Sequence, residues 1–233
     1  EPDEHKIVRI TTDGVVTKFD IPTADGKPFG ITTGPDGNIW FTQNDSYSSA
    51  IGKITPAGVI TNYPIFLDMN GGLGGITTGS DGNLWFLGGN KMWKITPNGG
   101  FTQYNLPLSS YAGSNPQAIT TGPDGNFWFT ESDGTGRNKI VKMSPAGTRL
   151  AEYDPPTPNL PESSFHEFIT GSDGNLWFTV DYSNGQQVVN KVGNITTDGT
   201  ITEYELPRLN IYNNSNLGEG ITLGPDGNIW FTE

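Results

Sequence analysis

Five short apolar runs without alternation recur along the chain, and each follows a polar, turn-forming segment. Every run contains an aliphatic residue or Phe, then Trp, then Phe, and the preceding segment reads Gly-(Pro/Ser)-Asp-Gly-Asn. Strands that are apolar on both faces are typical of sheets covered on both sides by other sheets. The pattern predicts five buried strands, at Ile39–Phe41, Leu84–Phe86, Phe127–Phe129, Leu176–Phe178 and Ile229–Phe231.

The polar segment before each buried strand predicts a tight hairpin turn. In the first repeat Pro35 suits the first corner, Asp36 the second, and Gly37 can take a positive φ. Each unit therefore reads as strand A, turn, strand B. We interpret the Asp as a hairpin corner, because a calcium loop needs several oxygen ligands at alternating positions and each turn offers one Asp and one Asn.

A second repeated segment predicts two further strands, C and D, around another Gly-containing turn. Together the segments form a four-stranded unit that recurs every 43 to 53 residues, a spacing typical of propeller blades. The copies that follow a strand B are Ile51–Tyr63, Met92–Tyr104, Ile140–Tyr153 and Val192–Tyr204.

The two ends of the chain carry complementary halves of a unit. Ile7–Phe19 resembles strands C and D without an A–B half before it, and residues 219–233 hold strands A and B alone. We therefore predict an all-β, five-bladed β-propeller with four-stranded antiparallel blades, closed by pairing the N-terminal outer strands with the C-terminal inner strands (2+2). Closure would remove exposed strand edges. The alternative is a piece of a larger ring.

On this interpretation residues 1–233 form a single domain. The expected blades cover residues 23–66, 67–107, 108–155 and 156–207, with a composite blade made of 208–233 and 1–22. The content of 32 Gly and 17 Pro suits a turn-dense all-β fold of this length.

Charge and composition narrow the class of partner. The net charge of −12 disfavours nucleic acids and anionic membranes, which require clustered Lys and Arg. We expect a small-molecule, peptide or saccharide ligand and a monomeric, soluble protein. The chain has no cysteine and no apolar run long enough to span a membrane. Its location, cytoplasmic or secreted, is left open.

Candidate functional residues are those at which the repeats differ, on the face opposite the A–B and C–D turns. At the start of strand A the aligned residues are Phe29, Gly74, Gln117, His166 and Glu219. After the Trp-Phe-Thr segment they are Gln43, Gly88, Glu131, Val180 and Glu233. The long loops before the fourth and fifth A strands also carry Tyr212, and long loops on a rigid scaffold often bind ligands. We expect a pocket there, at the mouth of the axial channel.

The repeated phrases Gly-Pro-Asp-Gly-Asn-(Ile/Leu/Phe)-Trp-Phe-Thr-Glu and Lys-Ile-x-(Lys/Arg)-Ile-Thr resemble the blades of the virginiamycin B lyase family. The resemblance covers all five repeats, although family members usually have seven blades. It implies ring opening of type B streptogramins, which are cyclic depsipeptides, by a Mg-assisted elimination. In that family a His precedes the inner strand of two late blades, one as the base and one near the metal. His166 matches one such position and Glu219 occupies the next.

These considerations predict a site with His166 as catalytic base and Glu131, Glu219 and Glu233 as ligands of Mg²⁺ or Ca²⁺, without an organic cofactor. The residues expected to contact substrate are Phe29, Gln43, Gln117, Glu167 and Tyr212.

Whether the chain is an enzyme is left open at this point. The first hypothesis is a metal-assisted carbon–oxygen lyase, and the alternative is a noncatalytic propeller that binds a saccharide, peptide or small molecule. A sugar-lactone lactonase would require a denser metal cage than the sequence offers. The carboxylates also fit a simpler interpretation as solvated residues at the rim.

Overall fold

A computed structural model describes residues 5–23, 26–44, 49–66, 72–89, 91–106, 118–132, 138–156, 162–183, 188–206 and 220–232. In these ranges the regular structure is entirely β, in twenty strands. None of the described residues forms a helix of the length and apolarity needed to cross a membrane.

Four sheets of four antiparallel strands account for most of the structure, and two hairpins complete it. The first hairpin contains β1 (Lys6–Ile10) and β2 (Val16–Asp20). Blade 1 contains β3 (Lys27–Thr33), β4 (Ile39–Asn44), β5 (Ser49–Ile54) and β6 (Ile60–Ile65). Blade 2 contains β7 (Leu73–Thr78), β8 (Leu84–Gly88), β9 (Lys91–Ile95) and β10 (Phe101–Asn105).

The second half of the chain continues the same order. Blade 3 contains β11 (Ile119–Thr121), β12 (Phe127–Ser132), β13 (Asn138–Met143) and β14 (Arg149–Tyr153). Blade 4 contains β15 (Glu162–Thr170), β16 (Leu176–Ser183), β17 (Val188–Ile195) and β18 (Ile201–Glu205). The last hairpin contains β19 (Ile221–Leu223) and β20 (Ile229–Phe231). The chain therefore has an all-β, propeller-like fold with antiparallel four-stranded sheets.

The prediction of a fifth, composite blade is wrong for this structure. The described strands form four complete blades, and β1–β2 and β19–β20 are separate two-stranded sheets. Trp230 is 60% exposed, whereas Trp40, at the same repeat position in blade 1, is fully buried. Each hairpin instead packs against the blade next to it in sequence, which needs no pairing between distant chain segments.

The chain divides into two compact units, residues 1–104 and 105–233. In the first unit, Ile7 of the first hairpin and Ile21, which follows β2, pack on Phe41 and Ile54 of blade 1. The other face of blade 1 contributes buried residues such as Trp40 to a core shared with blade 2. Each blade of this unit is thus covered on a face that would otherwise expose apolar side chains.

The second unit has an equivalent core between blades 3 and 4. Trp128 and Ile140 of blade 3 pack with Phe165, Phe178 and other buried residues of blade 4. The β19–β20 hairpin contacts blade 4 at its turn between β15 and β16, where Ser172 Oγ donates a hydrogen bond to the Gly227 carbonyl at 3.0 Å. The single domain over residues 1–233 stays a prediction.

The A–B turns have the predicted geometry. Asp36 Oδ1 accepts a hydrogen bond from Trp40 Nε1 at 2.9 Å, and Asn38 Nδ2 donates to Asp36 Oδ2 at 2.8 Å. Gly37 has φ of 75°, which other residues rarely adopt. All five turns repeat the Asp–Trp bond, so the Asp anchors the buried strand to its own turn.

Candidate functional site

A β-bulge in blade 4 carries His166. On the neighbouring strand, Val180 pairs with Phe165 and Phe178 pairs with Phe168, so His166 and its neighbour lie opposite one residue, Thr179. A bulge places two residues against one, and bulges often redirect a side chain next to a functional site. The same irregularity occurs in β3 and β7, so Phe29, Gly74 and His166 occupy structurally equivalent positions.

Buried aromatic side chains hold the bulge of blade 4 in place. The rings of Phe165 and Phe168 are both buried, and their centroids lie 5.1 Å and 5.3 Å from that of Phe178. The chain between the two Phe residues is therefore fixed at both ends by packing. This arrangement is the rigid support that a positioned functional side chain requires.

His166 forms an ion-pair geometry with Asp181 on the neighbouring strand. His166 Nε2 lies 2.9 Å from Asp181 Oδ2, and the two side chains are 16% and 8% exposed. A neutral imidazole that donates its Nε2 proton to this carboxylate carries no proton on Nδ1. The carboxylate also stabilises the imidazolium that forms when Nδ1 takes a proton, so the pair has the geometry of an oriented general base.

Sequence comparison between repeats did not identify Asp181. The repeat motif ends at the residue after Trp-Phe-Thr, Val180, whereas β16 continues to Ser183. Asp181 lies two positions after Thr179, and alternate residues of a strand lie on the same face. A comparison of the repeats that includes the residue after Val180 would identify Asp181. The period of two along a strand then places its carboxylate on the same face as Thr179, which lies opposite the bulge.

Glu167 is the second residue of the bulge and points to the last hairpin. Its Oε2 accepts a hydrogen bond from the Ile221 amide at 3.3 Å. Partial burial raises the pKa of the Glu167 carboxyl, and this hydrogen bond opposes the rise only in part. Glu167 therefore links β15 to β19, and its predicted contact with substrate stays a prediction.

Glu131 has a charged partner that sequence analysis did not predict. The Glu131 carboxylate is buried, and Oε2 lies 2.7 Å from Arg149 Nη2. Arg149 Nε in turn lies 2.7 Å from Glu152 Oε1. Because a guanidinium already compensates the charge of Glu131, this carboxylate has no need of a metal ion for charge balance.

Two predicted contact residues lie in the first unit. Phe29 is the first residue of the bulge in β3 and is exposed. Gln43 is buried at the end of β4, and both polar atoms of its side chain lack a hydrogen-bond partner among the described residues. Buried amides in proteins are nearly always hydrogen-bonded, so Gln43 stays a candidate for binding a polar group or a water molecule.

The remaining candidates cannot be placed. Gln117, Tyr212, Glu219 and Glu233 lie outside the described residues. Within the described ranges, no three His, Asp or Glu side chains are grouped so that they could share a metal ion. These residues alone do not fit the predicted Mg²⁺ or Ca²⁺ site, and such a site would depend on Glu219 and Glu233.

Comparisons with known proteins agree with the repeat pattern. Residues 1–233 match the sequence profile of the Virginiamycin B lyase family. Over 53 residues the chain is 36% identical to the virginiamycin B lyase of Saccharopolyspora erythraea, a segment that covers 23% of this chain and 17% of that protein.

Solved structures extend the similarity to nearly the whole chain. A catalytically inactive His-to-Ala variant of virginiamycin B lyase from Staphylococcus aureus, solved with quinupristin, is 33% identical with a TM-score of 0.76. A streptogramin B lyase structure is 36% identical with a TM-score of 0.77. Both alignments cover 98% of this chain and 70% of the other, so the chain spans about 70% of the length of these solved relatives. The match over residues 1–233 shows that the chain belongs to the virginiamycin B lyase family.

Proposed function

We propose that this chain carries the base of a streptogramin-lyase-like carbon–oxygen lyase that acts on a cyclic depsipeptide. The observation that supports the proposal most directly is the His166–Asp181 pair, with 2.9 Å between Nε2 and Oδ2. The similarity to a streptogramin B lyase and to an inactive His-to-Ala variant of a virginiamycin B lyase supports the substrate class.

The proposed step is an elimination that opens the ring at an ester bond. His166 Nδ1 removes the proton on the carbon next to a carbonyl, and the electrons of that C–H bond form a carbon–carbon double bond. The bond between the second carbon of this double bond and the ester oxygen breaks, and its electron pair leaves with that oxygen, which becomes part of a carboxylate. Atoms and charge balance, because the proton stays on the imidazole and is later released to water.

Asp181 contributes by orientation and charge. Its carboxylate accepts a hydrogen bond from Nε2, which selects the tautomer with Nδ1 unprotonated, and it stabilises the imidazolium after proton transfer. The buried Phe165 and Phe168 on either side keep the ring from moving away from this partner. Asp181 is a positioning residue, since it acts through His166.

A divalent metal ion, if bound, would supply electrostatic stabilisation of the developing negative charge on the carbonyl oxygen. Since Glu131 is paired with Arg149, the candidate ligands are Glu219 and Glu233. The proton transfer to His166 does not depend on this assignment.

The experiment is turnover of quinupristin, followed by mass spectrometry of the linear product, with and without Mg²⁺. Removal of a general base typically lowers the rate by a factor of about 10² to 10⁴, and we expect such a loss for His166→Ala. His5 is the only other histidine and serves as a matched control, because His5→Ala should retain activity.

The variant Asp181→Asn tests whether Asp181 positions and charges His166 for catalysis or only maintains the fold. We expect a lower kcat with KM little changed and a shifted pH–rate profile, because the imidazole loses its anionic partner. No turnover by the unsubstituted chain, with quinupristin binding that is equal in the His166→Ala variant, would refute the proposal and favour a noncatalytic binding protein.

A further inference from the structure

The first strands of blades 1 and 2 lie in direct backbone contact. Gly30 is the second residue of the bulge in β3, and a Cβ added to it would lie 3.0 Å from both Gly75 Cα and Ile76 N of β7. The fully buried Thr42 hydroxyl accepts a hydrogen bond from the Gly30 amide and donates one to the Gly74 carbonyl of β7, both at 2.9 Å. The boundary between these blades therefore leaves no room for a side chain at this bulge position.

The equivalent position in blade 4 holds a large, charged residue. Glu167 is the second residue of the bulge in β15, in the place of Gly30. Its Oε2 accepts a hydrogen bond from the amide of Ile221 in β19, at the repeat position of Ile76. A carboxylate thus lies between β15 and β19, where blades 1 and 2 have only backbone atoms. At 3.3 Å this hydrogen bond is longer than the usual length of about 2.9 Å, so a better donor can replace the Ile221 amide.

The threonine of blade 4 lacks the two hydrogen bonds that Thr42 makes. Thr179 lies opposite the bulge of its blade, as Thr42 does in blade 1. It is fully buried, and its Oγ1 has no hydrogen-bond partner among the described residues. In blade 3 one of the two bonds is kept, because the Ala118 amide donates to Thr130 Oγ1 at 3.3 Å. A buried hydroxyl without a partner is unfavourable, so Thr179 gains when a hydrogen-bonding group comes within reach.

The next position on the same face of the strand serves the histidine in blade 4. In blade 1 this position is Asn44, whose Nδ2 donates to the Leu73 carbonyl of β7 at 2.9 Å and whose Oδ1 accepts from the Leu73 amide at 2.6 Å. In blade 4 it is Asp181, which lies 2.9 Å from His166 Nε2. Alternate residues of a strand lie on one face, so Asp181 and Thr179 both face β19. The residues that join blade 1 to blade 2 are therefore replaced, in blade 4, by groups beside the bulge.

We propose that one residue of a peptide-like ligand binds between β15 and β19. Its carbonyl oxygen accepts a hydrogen bond from the Thr179 hydroxyl, as the Gly74 carbonyl does from Thr42 in blade 1. Its N–H donates to the Glu167 carboxylate in place of the Ile221 amide, and β19 moves aside to admit it. The inference rests on the proposed function, since it identifies which groups of a depsipeptide are bound and by which residues.

A peptide residue suits these partners because of its hydrogen-bonding groups. In an extended chain the N–H and the C=O of one residue point to the same side, so both face blade 4 together. A ligand ammonium group has no acceptor for the Thr179 hydroxyl, and a ligand carboxylate would be repelled by Glu167. His166 precedes Glu167 in the bulge, so a residue bound here lies beside the imidazole.

Quinupristin binding to chains that carry His166→Ala tests the inference without interference from turnover. In this background we expect Thr179→Val, which is close to Thr in shape, to raise the Kd about tenfold, because the ligand carbonyl loses its donor. The same substitution at Thr42 is the matched control and should leave the Kd unchanged. Isothermal titration calorimetry measures both values.

The thermal stability of the same variants separates ligand binding from a structural role. Thr42→Val removes two hydrogen bonds and should lower Tm. Thr179→Val removes none among the described residues and should leave Tm equal or higher. A fall in Tm for Thr179→Val as large as that for Thr42→Val would overturn the inference, because the hydroxyl would then support the fold.

Substitutions of Glu167 test the second contact in the same His166→Ala background. Gln keeps an oxygen acceptor for the ligand N–H, whereas Ala does not. We expect Glu167→Ala to raise the Kd about tenfold and Glu167→Gln to raise it less. A Kd that is unchanged by either Thr179→Val or Glu167→Ala would overturn the inference.

The inference and the proposed function fail in different ways. Turnover by the unsubstituted chain, together with a Kd that Thr179→Val does not change, would refute the contacts and leave the lyase. Weaker binding by Thr179→Val without turnover by the unsubstituted chain would support the contacts and refute the lyase. Absence of quinupristin binding to the His166→Ala chain would overturn the inference, since the proposed contacts do not include the imidazole.

Discussion

Lys142 Nζ lies 2.7 Å from Asp124 Oδ2, and this ion pair joins strand C of blade 3 to the turn between strands A and B. Burial tends to raise the pKa of the Asp124 carboxyl, but hydrogen bonds from Lys142, Asn126 and Trp128 outweigh burial and lower the pKa to about 2. The turn is therefore held by a carboxylate that stays ionised at acidic pH.

The lowered pKa of Asp124 predicts that its contribution to the stability of the fold is lost in acid. A lowered pKa in the folded state contributes stability that is present above the unfolded value of 3.8 and is lost as pH falls to about 2. After allowance for solvent screening, we expect Asp124→Asn to cost about 1 kcal/mol at neutral pH. Urea denaturation between pH 2 and 7 should show the difference from the unsubstituted chain disappearing at the acid end. A difference that is constant with pH would contradict the prediction.

The contribution of Glu167 to stability depends on pH with the opposite sign, because partial burial raises the pKa of its carboxyl. A raised carboxyl pKa favours the folded state below the ordinary value of 4.5, and this contribution is lost as pH rises through the folded-state value. Glu167→Gln keeps an acceptor for the Ile221 amide without a charge. We expect this variant to gain stability relative to the unsubstituted chain as pH rises from 4 to 7, measured as the change in Tm. If the difference in Tm between Glu167→Gln and the unsubstituted chain does not change with pH, the Glu167 carboxylate is solvated and the prediction is wrong.

The buried pair Glu131–Arg149 predicts a strongly non-additive double mutant. Arg149→Met leaves the Glu131 carboxylate buried without its cation, and removal of one partner of a buried pair costs about 3 to 5 kcal/mol. The double variant Glu131→Gln, Arg149→Met should recover most of that loss, because no uncompensated charge remains. Chemical denaturation of the single and double variants forms a double-mutant cycle, and additive losses would contradict the expectation.

Substitution of Gly199 should have a steric cost in addition to the cost of backbone strain, and substitution of Gly174 should have only the latter. Gly199 and Gly174 have φ of 97° and 73°, but an added Cβ would meet the Tyr153 ring only at Gly199. We expect Gly174→Ala to cost about 1 kcal/mol for the left-handed conformation. Gly199→Ala should cost about 1 to 3 kcal/mol more, because the ring must move. Equal losses in Tm for the two variants would show that the ring adapts freely.

The repeat pattern predicted local structure well and long-range closure poorly. The buried strands, the Asp–Trp turns and the order A–B–C–D follow from contacts within one hairpin or between adjacent strands, and these depend on nearby residues such as Asp36 and Trp40. The expected pairing of β20 with β1 rests only on the similarity of the two end segments to the halves of a repeat unit. Whether two segments at opposite ends of a sequence meet depends on the geometry of every element between them, which a repeat does not specify.

The site could be predicted only in part for a related reason. His166 was identified because it differs from the other repeats, but its partner Asp181 and the Glu131–Arg149 pair depend on side-chain direction across strands. The alignment of repeat positions shows which residues are exceptional. It does not show which of them face each other, so the pairing of Glu131 with Arg149 could not be predicted from it.

The β-bulges affect how the sequence of this protein can evolve. Phe29, Gly74 and His166 differ in size and polarity at the first bulge position, yet the pairs that follow, Ile31 with Phe41 and Phe168 with Phe178, keep the same alignment. A residue in a bulge is outside the regular ladder, so its replacement need not disturb neighbouring pairs. New chemistry can therefore be acquired in one repeat while the others continue to maintain the fold.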